Sequence, residues 1–352
     1  MDDSKQIENR SITIYDIARE AGVSPATVSR VLTNNVNVRK EKKERVLSLI
    51  EKYNYKPNAL ARGLADMRRN VIGIIAADIR NPYYARVFVA CEQAARERGY
   101  TVLLCNSFGE LEVEVQQLEK LEEQRVDAII QIGGRVDDLQ SNIEYVEKVN
   151  RLTNTIPIII GGKLDGTDCY QVRIDAMAAM DLLMEHLVSL HHEKIAMIGG
   201  RQDVISTFEK MQRYKQQLAK YNLKYREELV EADGSYDYET GYQQMNQMLD
   251  RKAVPTAVIA INDTTAAGVM RSIVEHGYRV PEDISVVSYD NTYVTELLTP
   301  KLTSVDYNYE IYGACMIDTA IAAISGETVP RQQLITPRLV VRESSTFAPK
   351  AG

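Results

Sequence analysis

Gly22-Val23-Ser24-Pro25-Ala26-Thr27-Val28-Ser29-Arg30-Val31-Leu32 decides how the first part of this chain folds. Gly22 stops a helix, because it takes a left-handed backbone conformation without steric cost. Ser24 can cap a second helix, and Pro25 suits the first helical position, where its missing N–H is not needed. Working outward, Thr13 with Asp16 three residues on predicts a capped helix over 14–21 that turns Ile17, Ala18 and Ala21 inward. Two short helices joined by so tight a turn read as a helix-turn-helix. Val28, Val31 and Leu32 form the buried stripe of its second helix, leaving Pro25, Ala26, Ser29 and Arg30 outward. That face lies in the major groove in such units. Arg30 can pair bidentately with guanine, or it can serve as a phosphate contact or a solvated helix residue. Thr13, Ser24 and Thr27 join these four residues as candidate DNA contacts.

Downstream, a third helix is expected over 40–54, burying Val46, Leu49, Ile50 and Tyr53, with Arg39 a poor cap. Pro57-Asn58-Ala59-Leu60-Ala61-Arg62-Gly63-Leu64-Ala65 then reads as a turn, a cap at Asn58 and a short helix. Its length and the internal Gly63 make that helix marginal in water, so it should order only against a partner. The whole stretch resembles the head and hinge of the lactose-repressor family of bacterial transcription regulators, and the likeness extends from about Thr13 to Val341. The resemblance implies that hinge helices of two subunits pair in the minor groove, with Asn58, Ala61, Arg62 and Leu64 at the DNA. Leu64 would be the wedge between base pairs, a device repaid by contacts on bent DNA. The plainer reading of Leu64 is a hydrophobic linker residue.

Charge divides the chain in the same place. Residues 1–69 hold 14 Lys and Arg against 9 Asp and Glu, a net of +5, and the remainder holds 28 against 40, a net of −12. A basic head can release counterions from phosphates, while an acidic body resists nonspecific wrapping. At 352 residues the chain suits a small head and a larger body. No apolar run approaches a membrane span and the N-terminus lacks a signal-peptide core, so a cytoplasmic protein is expected. Cys91, Cys105, Cys169 and Cys315 show no metal-ligand spacing and read as buried thiols.

From Val71 on, short apolar runs over 71–77, 101–105, 128–132, 156–160, 194–198, 257–261 and 285–288 alternate with helical patterns over 83–98, 112–124, 176–190, 209–221, 238–249 and 264–276. Branched runs of this kind suit parallel strands buried on both faces, giving an α/β body with two sheets. The family resemblance implies a periplasmic-binding-protein-like body of two lobes joined by three crossing strands, near Val172, Tyr307 and Pro337. The expected organisation is therefore an all-α helix-turn-helix head over 11–57, a hinge helix and linker over 58–70, and a bilobed effector-binding and dimerisation domain over 71–347. Its first lobe takes about 71–172 and 308–335, and its second about 173–306 and 336–347. Dimerisation follows from the resemblance, with a helix over 311–324 as contributor.

Ligands in such folds bind beyond the carboxyl ends of the strands. The residues there are Asn81, Tyr83 and Tyr84 after the first strand, Asn262 and Asp263 after the 257 run, and Asp290 with Asn291 after the 285 run. Carboxylates and amides at these points suit paired hydroxyls. Asp263 reads equally as a helix cap. Tyr236, Asp175 and Ser206 complete the candidates. At Lys210-Met211-Gln212-Arg213 the chain departs from the family, which has an effector-gripping Arg at the first position and a Gly at the fourth. Either Arg213 takes over part of that role or the effector differs. Ser288 also replaces a usual Gly. The Glu-rich segment 110–123 reads as a solvated face.

No catalytic constellation, metal spacing or phosphate loop is present, and no cofactor is expected. These readings converge on a homodimeric DNA-binding regulator, a repressor acting on a pseudo-palindromic double-stranded operator, controlled by a small polar, sugar-like effector. Control by a protein co-effector or by a nucleoside or base, and a sugar-binding module with no DNA role, are the alternatives.

Overall fold

The computed structural model describes residues 12–32, 38–53, 55 and 69–350, in two compact units divided between Arg69 and Asn70. The hinge segment with Asn58, Ala61, Arg62 and Leu64 lies outside the described residues.

The described residues of the first unit form three helices, α1 (Ile14–Ala21), α2 (Pro25–Leu32) and α3 (Lys40–Lys52). Thr13 and Asp16 cap α1 reciprocally: the Thr13 amide donates to Asp16 Oδ2 at 3.0 Å, and the Asp16 amide to Thr13 Oγ1 at 3.4 Å. Gly22 adopts φ 65° and closes α1. Ile17, Ala18, Ala21, Val28, Val31, Val46 and Leu49 form the core. Leu32, Ile50 and Tyr53 are not buried as expected but only edge this core, and the Tyr53 hydroxyl reaches out to Glu20 at 2.8 Å. As its sequence implies, α3 begins without a side-chain cap at Arg39.

The second unit holds twelve strands: β1 (Val71–Ala76), β2 (Thr101–Asn106), β3 (Ala128–Ile132), β4 (Ile158–Ile160), β5 (Tyr170–Ile174), β6 (Ile195–Ile198), β7 (Val230–Glu231), β8 (Ala257–Ala260), β9 (Ser285–Asp290), β10 (Thr303–Asp306), β11 (Gln332–Ile335) and β12 (Arg338–Val340). They form two six-stranded sheets, ordered β11-β5-β4-β3-β1-β2 and β12-β10-β9-β8-β6-β7. All pairings are parallel except β10 with β12. The chain leaves the first sheet after Ile174, returns after Asp306, and leaves again between Ile335 and Arg338.

One apolar core runs between the lobes, from Ile72, Val87 and Cys91 through Met180 and Leu183 to Tyr289, Tyr312 and Met316. The Tyr309–Ile324 helix turns Tyr312, Gly313 and Met316 inward and leaves Ile311 61% exposed. Two expectations are corrected. β2 is an edge strand, half exposed rather than buried on both faces, since only β1 pairs with it. Glu114 does not lie on a solvated face: it is fully buried, taking the Gln131 amide at 2.9 Å and the Arg135 backbone N–H at 3.1 Å.

Candidate functional site

In both sheets the carboxyl ends of the parallel strands open onto one cleft between the lobes, a cavity of about 670 Å³. On the first-lobe side, Asn81 caps the Pro82–Glu97 helix by accepting the Tyr83 amide at 3.0 Å, and Pro82 occupies the first helical turn. This cap aims Tyr83 and Tyr84 into the cleft, rings 5.0 Å apart and edge to face. Tyr83 also meets Tyr307 of the returning crossing at 6.0 Å.

On the second-lobe side, Ser206 and Lys210 stand one turn apart on the Ile205–Lys220 helix. The Tyr236 hydroxyl lies 2.9 Å from Thr207 Oγ1, while the Tyr236 carbonyl accepts the Asn262 side-chain amide at 2.8 Å. Asn262, not Asp263, is the cap of the Asp263–Glu275 helix, taking the Thr265 amide at 2.8 Å. Asp290 ends β9 at φ 93°, a strained conformation for a side-chain-bearing residue, held by the Tyr309 hydroxyl on its carbonyl at 2.8 Å.

Thus Asn81, Tyr83, Tyr84, Ser206, Lys210, Tyr236, Asn262 and Asp290 share one cleft. Asp175 does not line it. Its carboxylate caps the Ala176–Ser189 helix through Ala178 N at 2.9 Å, a role its position just before that helix could have signalled. Arg213 does not replace the missing arginine either; it grips Asp181 at 2.6 and 2.7 Å, away from the cleft. Asp263 is a buried anchor beneath the cleft, accepting Ser288 Oγ at 2.6 Å, Ser304 Oγ at 2.8 Å, and Thr292 N and Oγ1 at 2.6 and 2.9 Å. That contact accounts for a serine at position 288, where the hydroxyl supplies a donor that glycine lacks.

Charged residues of the cleft escaped the sequence reading. Arg173 on β5 and Glu209 on the opposite lobe form an ion pair at 2.8 Å. Asp137 follows the Gly133-Gly134 turn and faces the cavity. At the mouth, Leu139 N donates to the Asp203 carbonyl at 2.7 Å, tying the lobes together. Burial pushes the Asp137 carboxyl up to about 7 and likewise raises Asp290. Burial lowers Lys210, whose ammonium lies 4.0 Å from the Tyr289 ring centre and donates to the Tyr307 hydroxyl at 3.2 Å. The arrangement offers carboxyl groups that accept when ionised and can donate when protonated, a donor-only lysine and tyrosine hydroxyls that can do either, which together suit vicinal hydroxyls.

In the head, Thr13, Ser24, Ala26 and Arg30 are exposed, and Pro25, Thr27 and Ser29 are half-buried. Thr27 is tied back to Ser24 by its amide at 3.2 Å. Tyr15 on α1 is 66% exposed.

None of the described helices is long and apolar enough to cross a membrane. Residues 13–58 match the family model for bacterial regulatory proteins of the lacI family, and residues 184–345 match that for a periplasmic binding protein-like domain. Catabolite control protein A of Priestia megaterium is 31% identical over 338 residues, covering 96% of this chain and 99% of that protein. The crystal structure of the lac repressor dimer bound to operator and the anti-inducer ONPF superposes with a TM-score of 0.85 at 28% identity, over 96% of this chain and 100% of that one. The transcriptional regulator CelR in complex with cellobiose superposes at 0.70 with 27% identity, over 95% and 100%. With head, body and nearly the whole length matched, the chain belongs to the lacI family of bacterial regulatory proteins, DNA-binding transcriptional regulators rather than enzymes.

Proposed function

We propose that this regulator is a cytoplasmic, homodimeric repressor whose affinity for a pseudo-palindromic operator is set by a sugar or sugar derivative bound in the interlobe cleft. Asn81, Tyr83, Tyr84, Ser206, Lys210, Tyr236, Asn262 and Asp290 are its effector contacts, and the head reads DNA through Thr13 and the Ser24–Arg30 face. Asn58, Ala61, Arg62 and Leu64 act at the operator centre. The observation that carries the reading is the convergence of tyrosine rings, carboxylates and one lysine at the carboxyl ends of two parallel sheets. Support also comes from the solved relatives, the lac repressor dimer bound to operator and the anti-inducer ONPF and CelR bound to cellobiose.

Switching requires the effector to bind one lobe arrangement more tightly than another, so lobe closure changes the spacing of the segments leading to DNA. A thermal-shift screen of the full chain against sugars, followed by gel shifts with the hits, tests the proposal. A sugar that raises the melting temperature and moves operator affinity supports it; saturating sugars that change neither refute it.

A further inference from the structure

Five cationic side chains line the cleft, and four are already matched. Arg80 meets Asp78 at 2.7 Å, Arg135 meets Asp138 at 3.1 Å, Arg201 meets Asp203 at 2.5 Å and Arg173 meets Glu209 at 2.8 Å. The fifth, Lys210, is 6% exposed and contacts only tyrosines. Against this one ammonium stand three carboxylates with no ion-pair partner among the described residues, Asp137, Asp237 and Asp290, of which Asp237 caps its own helix through the Thr240 amide at 2.8 Å. Asp290 has the Tyr307 hydroxyl as donor and Lys210 as a neighbouring positive charge. Asp137 accepts no hydrogen bond from any described residue, although it stands in the cavity wall beside tyrosines.

A half-buried carboxyl with no hydrogen-bond donor, whose nearest positive charges on Arg173 and Lys210 are shared with Glu209 and Asp290, is costly to ionise, and a ligand group that brings a donor and a further positive charge recovers that cost. A hydroxyl would supply one donor and leave the charge. A phosphate or carboxylate would add a further negative charge where every arginine is engaged. A protonated amine supplies N–H donors and the missing positive charge, and the rings of Tyr83, Tyr84 and Tyr236 along the same cleft favour a cation as well.

Building on the sugar-effector reading, we infer that the effector carries one basic amine, as an amino sugar does, and that Asp137 is the residue that selects it. The test measures binding of glucose, glucosamine and glucose 6-phosphate, and of the matching galactose series, to the full-length protein by calorimetry and thermal shift. The amine should bind at least about tenfold more tightly than its parent sugar, the value of one charge-assisted hydrogen bond, and the phosphate least. Asp137→Asn should erase the amine's advantage over the parent sugar, binding of the amine falling by more than that of the parent. An equal or tighter parent sugar or phosphate in the wild-type protein overturns the inference and leaves the sugar reading standing. Retention of the amine preference by Asp137→Asn overturns the role of Asp137. No binding by any member overturns the sugar reading together with the inference.

Discussion

Removing the Asp263 carboxylate is the perturbation whose cost follows most directly from the structure. Asp263 is 1% exposed and accepts four hydrogen bonds, from Ser288, Ser304 and both the amide and hydroxyl of Thr292. These donors come from β9, β10 and the loop just after Asp290, so one side chain fixes the backbone that presents Asp290 to the cleft. Asp263→Ala leaves four buried donors without an acceptor. Two of the hydroxyls can rotate to other partners, but the Thr292 amide cannot, so a loss of about 3–5 kcal/mol is expected. For a body of this size that is a fall of roughly 6–12 °C in melting temperature. Asp263→Asn keeps an acceptor oxygen, and its amide can donate to a serine hydroxyl, so its cost should stay near 1–2 kcal/mol, an order-of-magnitude figure. Calorimetric melting of the full chain and both variants gives the comparison. Should Asp263→Ala melt within a degree or two of wild type, the anchoring role assigned to this carboxylate is wrong.

Three further outcomes are expected. His192 is 1% exposed, with Nε2 2.9 Å from the Thr346 carbonyl and Nδ1 3.1 Å from Thr256 Oγ1, and burial holds its pKa below the ordinary 6.5. The unfolded chain therefore takes up a proton that the native one refuses, so stability should fall as pH drops below about 6.5; His192→Gln should flatten that slope in denaturant titrations, and an unchanged slope would count against it. Gly268 packs its helix against the Tyr238–Asp250 helix so closely that a Cβ would collide with the Tyr238 carbonyl oxygen. Gly268→Ala should lose about 1–3 kcal/mol in urea unfolding despite alanine's better helix propensity; a gain would show that the helices part freely. Arg30→Ala should cost about 1–3 kcal/mol of operator binding and relax preference at one guanine, whereas a uniform loss across sequences would assign Arg30 to phosphate.

The elements that were legible in the sequence are those whose local chemistry is self-contained. The Thr13 box, the Gly22 stop and the Ser24-Pro25 start place α1 and α2 without help from tertiary contacts. β3, Ala-Ile-Ile-Gln-Ile, is an apolar run broken only by Gln131, and all five of its residues are buried. The strands that escaped reading lack such runs: β10 is Thr-Ser-Val-Asp and β7 only Val-Glu, and each exists because a neighbour offers a ladder to join. The same holds in the cleft. Tyr83 and Asp290 announce themselves by following strong strands, but Asp137 lies beyond a glycine turn and Arg173 within a weakly patterned crossing strand, so only the folded chain brings them together. Glu114 shows the converse, a glutamate in an acidic helix whose burial depends on Gln131 across the fold.

The most direct test is one titration: operator affinity of the full-length protein, on a site selected from random DNA, measured without and with a cleft-binding sugar identified by thermal shift. An inverted-repeat site should emerge, and saturating ligand should change its affinity by about 5–150-fold, with Asp290→Ala abolishing the response. A ligand that binds the cleft yet leaves operator affinity unmoved, or a selection that yields no preferred sequence, would contradict it.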